Sequence, residues 1–466
     1  MISFKNNNPV VCVQGLGFVG SAMSTAVAMA NNAYGNSIFN VIGVDLDNDT
    51  GCKRVKDINE GFFPFETTDS VLVDALKKCV NNGNLKATHD EDCYSIADVV
   101  IVDIHLDIPF KDDEPDLNFD GMISAITAIA TRIKSGALII VETTVPPGTC
   151  EKIVIPTVNK ILKERGMSEN SVYIAHSYER VMPGKDYLAS IVDFWRVFSG
   201  KDNKSGDKCE EFFNKIINVD EYPLTRLTST TASETAKVLE NTYRAVNIAL
   251  MDEWGKFAEH VGIDLFEVVN AIKMRPTHSN IMRPGFGVGG YCLTKDPSFA
   301  PASYRQLFSG KDNKFPISTI ASRINYNMPQ HVADLIKQSL GGSFLGRNIH
   351  ILGVSYREDV GDTRFSPAET FAETCIAQGG NVTFSDPYVD YWEELDLLSV
   401  NLDKFDSSID VLVFGTPHSQ YKEEGYVSNK VINPKLLVFD TNNVLSKQAI
   451  QKFKKLGCEL FFIGKG

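Results

Sequence analysis

The chain has no apolar run long enough to span a bilayer, and its polar start, Met1 to Pro9, lacks the apolar stretch of a leader peptide. A cytoplasmic protein is the expectation. Positive charge is in deficit: 46 Lys and Arg stand against 59 Asp and Glu, a net charge of -13. Such a surface does not attract nucleic acid or anionic lipid, so neither is an expected partner. A local basic pocket for a phosphorylated ligand is compatible with it. The nine cysteines (Cys12, Cys52, Cys79, Cys93, Cys150, Cys209, Cys292, Cys375 and Cys458) are an odd, scattered set with no Cys-x-x-Cys pair. Neither a disulfide framework nor a metal site is expected, and each thiol reads by default as a small buried hydrophobe. Repeats and low-complexity tracts are also missing.

At 466 residues the chain exceeds one core, and about 150 residues per domain implies roughly three units. Short β-branched runs at Val10–Val13, Val41–Val44, Val99–Ile104 and Leu138–Val141 alternate with helical patterns, as in βαβ units with a parallel sheet. Tyr173–Ala175 and Arg196–Phe198 extend that sheet, and the polar stretch Gly200–Asp207 closes a first unit, 1–205. From Ser233 to Val261 there is no Pro and one Gly, and Leu239, Tyr243, Val246, Leu250, Trp254, Phe257 and Val261 recur at spacings of three and four. This predicts a long amphipathic helix of about 40 Å, suited to a spine between domains or a subunit interface. It belongs to a second unit, 206–335. Strands return at Asn348–Val354, Asn381–Phe384, Val411–Phe414 and Leu436–Phe439, with a helix over Pro367–Gln378, forming a third unit, 336–466.

Gly15-Leu16-Gly17-Phe18-Val19-Gly20 follows a strand and opens a helix. In this setting the glycines allow a tight turn, close approach to a pyrophosphate, and helix–strand packing, while the helix start presents N–H groups to phosphate. Asp45, at the end of the next strand, is placed to accept from ribose hydroxyls and to repel a 2′-phosphate, which favours NAD. Lys53 and Arg54 nearby keep NADP open at this point.

Four glycines fall within the six residues 285–290, just before Cys292, Lys295 and Asp296. Such a loop suggests backbone running close to a ligand. If the chain is helical from Leu293 onward, Cys292 sits at a helix start, where the dipole and Lys295 favour thiolate. Lys237 and Asn241 share one face of the long helix, opposite its apolar stripe. Spacing alone leaves a solvated lysine and a neutral asparagine equally open.

Taken in order, GLGFVG, VIGVDLD, VETTVPPGT, SYERVMPG, ETAKVLENTYRAVNIALMDE, PGFGVGGYCLTKDP, ILGVSYREDVGDTRFSPA and SDP resemble the UDP-glucose/GDP-mannose dehydrogenase family over nearly the whole chain. The resemblance implies an α/β protein with an N-terminal Rossmann NAD domain, a central helical dimerisation region, and a C-terminal Rossmann-like domain for the UDP-sugar. It implies a four-electron oxidation of a sugar C6 alcohol through a thiohemiacetal and thioester on Cys292, serving surface polysaccharide synthesis. Lys237 and Asn241 would stabilise the oxyanion at C6; Asp296 and Thr144 would position water; Glu179 would move protons. Gly15, Gly17, Phe18, Val19, Gly20, Asp45, Thr144, Lys295 and, from a neighbouring subunit, Arg364 would hold NAD. Glu179, Lys237, Asn241, Arg283, Gly289, Tyr356 and Arg357 would contact substrate.

The chain departs from the family pattern at three places. Arg357 stands for a common lysine, Leu106 for a threonine that lines the NAD site, and Thr441-Asn442-Asn443 for a terminal Asp-x-Arg-Asn. The stretch from Tyr178 to Lys185, with Pro183 where UDP-glucose enzymes carry a second carboxylate, is more similar to the branch acting on UDP-N-acetylhexosamines. UDP-glucose is the alternative substrate. A simple β-hydroxyacid dehydrogenase, needing no loop thiol, and a nucleotide-sugar binder without catalysis are the rival functions.

Overall fold

The computed structural model describes residues 2–106, 110–111, 114–182, 184–310, 315–400 and 403–466; Asp107–Pro109 and Pro183 lie outside them. The chain divides into two compact units, 1–239 with 298–314, and 240–297 with 315–466.

In the first unit, β1 (Val10–Gln14), α1 (Phe18–Met29), β2 (Asn40–Val44), β3 (Leu85–Thr88), β4 (Val99–Val102), β5 (Leu138–Val141), β6 (Tyr173–Tyr178), β7 (Val197–Gly200) and β8 (Thr225–Arg226) build one sheet in the order β8-β7-β6-β5-β4-β1-β2-β3. Runs such as Val-Val-Ile-Val in β4 and Leu-Ile-Ile-Val in β5 are buried on both faces, which is why they lack polar alternation. The pairing is parallel except between β6 and β7, which is antiparallel. That exception was not expected: among its described residues the connection from β6 to β7 holds one turn of helix, Ala189–Val192, and no crossover helix of the length a parallel return uses. The polar stretch near residue 202 begins a helix, α2 (Asn203–Phe213), capped by the Asp202 carboxylate accepting from the Ser205 N–H at 2.8 Å. Its Cys209, Phe212 and Phe213 join the core on the α1 side of the sheet. Seven of the eight cysteines expected to be buried are so, but Cys52 is on the surface.

The long helix, α3 (Thr230–Val261), has 32 residues and runs about 48 Å at 1.5 Å per residue. Its apolar stripe is the exposed side: Leu239, Tyr243, Leu250, Trp254, Phe257 and Val261 all face solvent in the single chain. The buried side carries Glu234, Lys237, Asn241 and Asp252 among Ala245, Ala249 and Ala258. The solvated reading of Lys237 is therefore wrong, because the small side chains let the polar ones approach loops that need donors and acceptors.

In the second unit, α4 (Tyr291–Lys295) precedes β9 (Asn348–Leu352), α5 (Pro367–Ala377), β10 (Asn381–Ser385), β11 (Val411–Phe414), β12 (Leu437–Asp440) and β13 (Glu459–Phe462). The sheet is fully parallel in the order β10-β9-β11-β12-β13. Strands β3 and β13 went unforeseen. Leu-Lys-Ala-Thr and Glu-Leu-Phe-Phe are four-residue pieces without β-branched runs.

Candidate active site

The strand order 3-2-1-4-5-6 within the first sheet reverses between β1 and β4, and ligands of such sheets bind in the crevice outside the strand ends at that point. There Gly15 adopts φ of +92°, and an added Cβ would stand 2.4 Å from the Asp103 carbonyl oxygen. At Gly20 a Cβ would fall 1.8 Å from the Gly15 carbonyl oxygen, so the turn and the start of α1 admit only glycine. Asp45 ends β2 with its carboxylate accepting from the N–H groups of Leu46 at 2.8 Å and Leu16 at 3.3 Å. Its Oδ2 also meets Arg54 at 3.3 Å, and the Arg54 guanidinium lies over Phe65, which stacks on Phe18. Arg54 is thus engaged by the Asp45 carboxylate. The crevice fits NAD: glycine backbone for the diphosphate, an acid for the ribose, and Val19 within the first turn of α1.

Behind the crevice, the loop after β5 carries Thr144, which is buried. Glu234 of α3 anchors this loop by accepting from the N–H groups of Gly148 at 2.6 Å and Cys150 at 2.8 Å. Burial pushes the Glu234 carboxyl up to about 7. Lys237 donates to the Glu179 carbonyl oxygen at 2.7 Å, stands 4.0 Å from the Glu179 carboxylate, and lies over the Tyr178 ring. The Glu179 carboxylate accepts from the Val181 N–H. Deeper still, Glu142 is fully buried and paired with Arg196, and burial pushes it up to about 7.

In the second unit the helix begins at Tyr291, two residues earlier than expected, so exposed Cys292 is its second residue rather than its cap. Asp296, at the other end of α4, has no exposed surface. Its two oxygens are met by Lys295 at 2.7 Å and by the Asn241 amide at 2.6 Å, while the Lys295 ammonium lies over the Tyr291 ring. The glycines before Cys292 approach the protein itself: a Cβ at Gly289 would come 2.8 Å from Phe365, Pro367 and Tyr356 atoms, and at Gly290 2.6 Å from the Tyr356 ring. Packing within the protein thus accounts for glycine at these two positions. Burial, with the negative charges of Asp362 and Cys292 added, pushes the Tyr356 hydroxyl up to about 12, so it remains a donor beside the thiol. Arg364 is held by both oxygens of Asp362, at 2.8 and 2.6 Å. Arg283 donates to Asn270 at 3.0 Å, and Arg357 is exposed.

Family models match this chain in order: the NAD-binding domain of the UDP-glucose/GDP-mannose dehydrogenase family over residues 10–217, its central domain over 231–327, and its UDP-binding domain over 350–447. The chain belongs to this family. A UDP-N-acetyl-D-mannosamine dehydrogenase of Methanocaldococcus jannaschii is 32% identical over 460 residues, 98% of this chain and 96% of that one. The solved UDP-D-ManNAc dehydrogenase of Pyrococcus horikoshii aligns at TM-score 0.78 and 27% identity, covering 98% and 99% of the two chains. The NDP-N-acetyl-D-galactosaminuronic acid dehydrogenase of Methanosarcina mazei aligns at 0.78 and 26%, covering 98% and 95%. The family member described here is an oxidoreductase that uses NAD on a nucleotide sugar.

Its departures from the family pattern have structural places. Leu106 is buried in the core on the sheet face away from α1. Asn442 donates to the Gly415 carbonyl at 3.0 Å, and its Oδ1 lies 3.1 Å from a Cβ built at Gly285, so the residues replacing the arginine stand beside the start of the thiol loop. Sequence reasoning missed Glu142, Arg196, Glu234, Asp252 and His418, whose partners lie far away in the chain. It also named the Ser-Asp-Pro motif without its role. Asp386 accepts from Val354 and Ser355 N–H groups and from His418 at 3.0 Å, fixing the turn that leads to Tyr356.

Asp252 accepts from the Gly285 N–H at 3.2 Å, and burial pushes its carboxyl up from 3.8 to about 8. The folded state therefore binds the extra proton across that window, and stability falls as pH rises from about 4 towards 8. Asp252→Asn keeps the acceptor and removes the titration. Urea unfolding is expected to show the variant gaining on the native protein by a few kcal/mol between pH 5 and pH 8.5, since each tenfold change in proton affinity on folding is worth roughly 1.4 kcal/mol. Equal slopes for the two proteins would rule this out.

Proposed function

We propose that the protein oxidises the C6 alcohol of a UDP-N-acetylhexosamine to the carboxylate through a thioester on Cys292. The observation that carries this reading is Asp296, a buried carboxylate held between Lys295 and Asn241 at one end of the short helix that carries exposed Cys292 at the other. NAD supplies the hydride acceptor at both oxidations, held by Gly15, Gly17, Phe18, Val19, Gly20 and Asp45, with Thr144, Lys295 and a partner copy's arginine side chain completing its contacts. Lys237 and Asn241 stabilise the C6 oxyanion; each has N–H groups beyond the one its protein partner takes. The Cys292 thiolate adds to the aldehyde carbon, and the thiohemiacetal formed loses hydride to become a thioester. Water, positioned by Asp296 and Thr144 with Glu179 as proton carrier, then breaks the C–S bond and returns the thiol. Arg283, Gly289, Tyr356 and Arg357 contact the nucleotide sugar.

An N-acetylhexosamine is supported by the activities for which the relatives are named and by the Tyr178-Glu179-Arg180 stretch. Those relatives differ in sugar configuration, manno in one and galacto in another, so a panel of UDP-sugars decides the ring stereochemistry. The segments 1–205, 206–335 and 336–466 then act as cofactor, dimerisation and UDP-sugar parts of a cytoplasmic enzyme feeding surface polysaccharide synthesis. Among the described residues no helix is long and apolar enough to cross a membrane.

On the panel, the productive sugar should give two NADH per molecule consumed, and Cys292→Ser should bind NAD while making no uronate. One NADH per sugar, or full uronate production by the variant, would refute the thioester route. If UDP-glucose alone is turned over, the N-acetylhexosamine assignment falls and the mechanism stands.

The exposed stripe on α3 supports a second chain packing there, since Trp254 and Phe257, in edge contact at 5.4 Å, form an apolar patch on a charged protein. Light scattering should give at least twice the chain mass for the native protein and a smaller assembly for Trp254→Glu with Phe257→Glu. An unchanged mass in the double variant would remove the stripe as the interface.

A further inference from the structure

We propose that His105 is a diphosphate-binding residue of the NAD site, taking the place of the hydroxyl that Leu106 cannot supply. The chain leaving β4 turns its side chains in different directions: Asp103 and Leu106 are buried, whereas His105 is exposed at the strand end. That strand end forms one wall of the crevice where the sheet order reverses. The opposite wall is the glycine turn. Gly17 is the glycine whose missing side chain lets a diphosphate approach the backbone. A Cβ built there meets one neighbour within 4 Å, the Nε2 of His105 at 3.6 Å. The volume that Gly17 leaves open is therefore bounded by an imidazole nitrogen. A phosphate oxygen seated over Gly17, against the first N–H groups of α1, comes within hydrogen-bond reach of that ring.

Local charge gives this contact a purpose. The Asp45 carboxylate stands at the end of β2 bordering the crevice, and the protein as a whole is acidic. A dinucleotide carries negative charge into that field, and the helix start is its main counterweight. An imidazole on the facing wall adds a donor at the diphosphate without approaching the ribose or the adenine. Leu106, meanwhile, packs among Val102, Val141 and Val145 in the core and cannot turn outward without leaving a cavity.

Equilibrium binding of ADP-ribose and of adenosine tests this apart from catalysis and from Cys292. His105→Ala should weaken ADP-ribose binding by about tenfold or more, the loss of one hydrogen bond to a charged group, and leave adenosine binding within twofold. His105→Gln, which keeps an N–H donor, should recover most of the ADP-ribose affinity. Unchanged ADP-ribose affinity in the alanine variant overturns the proposal, and so does an equal loss of adenosine affinity, which would mark a structural defect. Because neither ligand contains a sugar substrate, failure here leaves the thioester reading intact.

Discussion

Asp296 has no exposed surface, and a carboxylate so placed is tolerable only because two donors meet it, one on each oxygen. Removing Lys295 would leave an uncompensated buried charge, which costs on the order of 3–5 kcal/mol, and removing Asn241 would leave a buried oxygen without its donor, which costs about 1–3 kcal/mol. The donors come from different parts of the chain: Lys295 is its neighbour, while Asn241 belongs to α3. The pair therefore fixes the short helix bearing Cys292 against the long one. The proposed addition of Cys292 to a carbonyl would use this fixing, because a nucleophile and the group that receives the developing oxyanion must hold one geometry.

The same logic repeats along α3. Glu234 ties the loop after β5, Lys237 ties Glu179, Asn241 ties Asp296 and Asp252 ties Gly285. Each is a buried polar group satisfied by the backbone or side chain of a loop, and between them stand alanines that leave room. A helix that spends its inner face on polar anchors has its large apolar residues left for the outer face. The exposed stripe from Leu239 to Val261 follows from this inversion, and it is the reason the helix is better suited to a second chain than to water.

Much of this was legible in the sequence, for identifiable reasons. Strands β1, β4, β5 and β11 are short apolar runs rich in β-branched residues, and their limits hold to within two residues. The glycine turn and Asp45 were legible because each sits at a fixed offset from such a strand, and Cys292 stood out by the glycine-rich loop before it and Lys295 and Asp296 after it. The face of α3 that points inward was not. Spacing of three and four marks two opposite stripes, and the rule that the apolar one is buried fails when a helix is covered from outside by another copy or carries polar anchors within. The partners of Asp296, Glu234 and Asp252 were equally hidden, since a hydrogen bond spanning 55, 86 or 33 residues leaves no local signature. Arg54 read as an open cation in the sequence, and only the fold shows it bound to Asp45. His105 carried no motif, and only the fold sets it beside Gly17.

The proposed route requires a carbon–sulfur bond on Cys292 for part of each turnover. Mixing enzyme, NAD and the productive UDP-sugar, quenching with acid within the first turnover, and measuring peptide masses tests it most directly. A mass increase equal to the uronyl nucleotide on the Cys292 peptide, discharged by hydroxylamine and missing from Cys292→Ser, is the predicted result. Burst formation of both NADH equivalents with every cysteine peptide unmodified would contradict it.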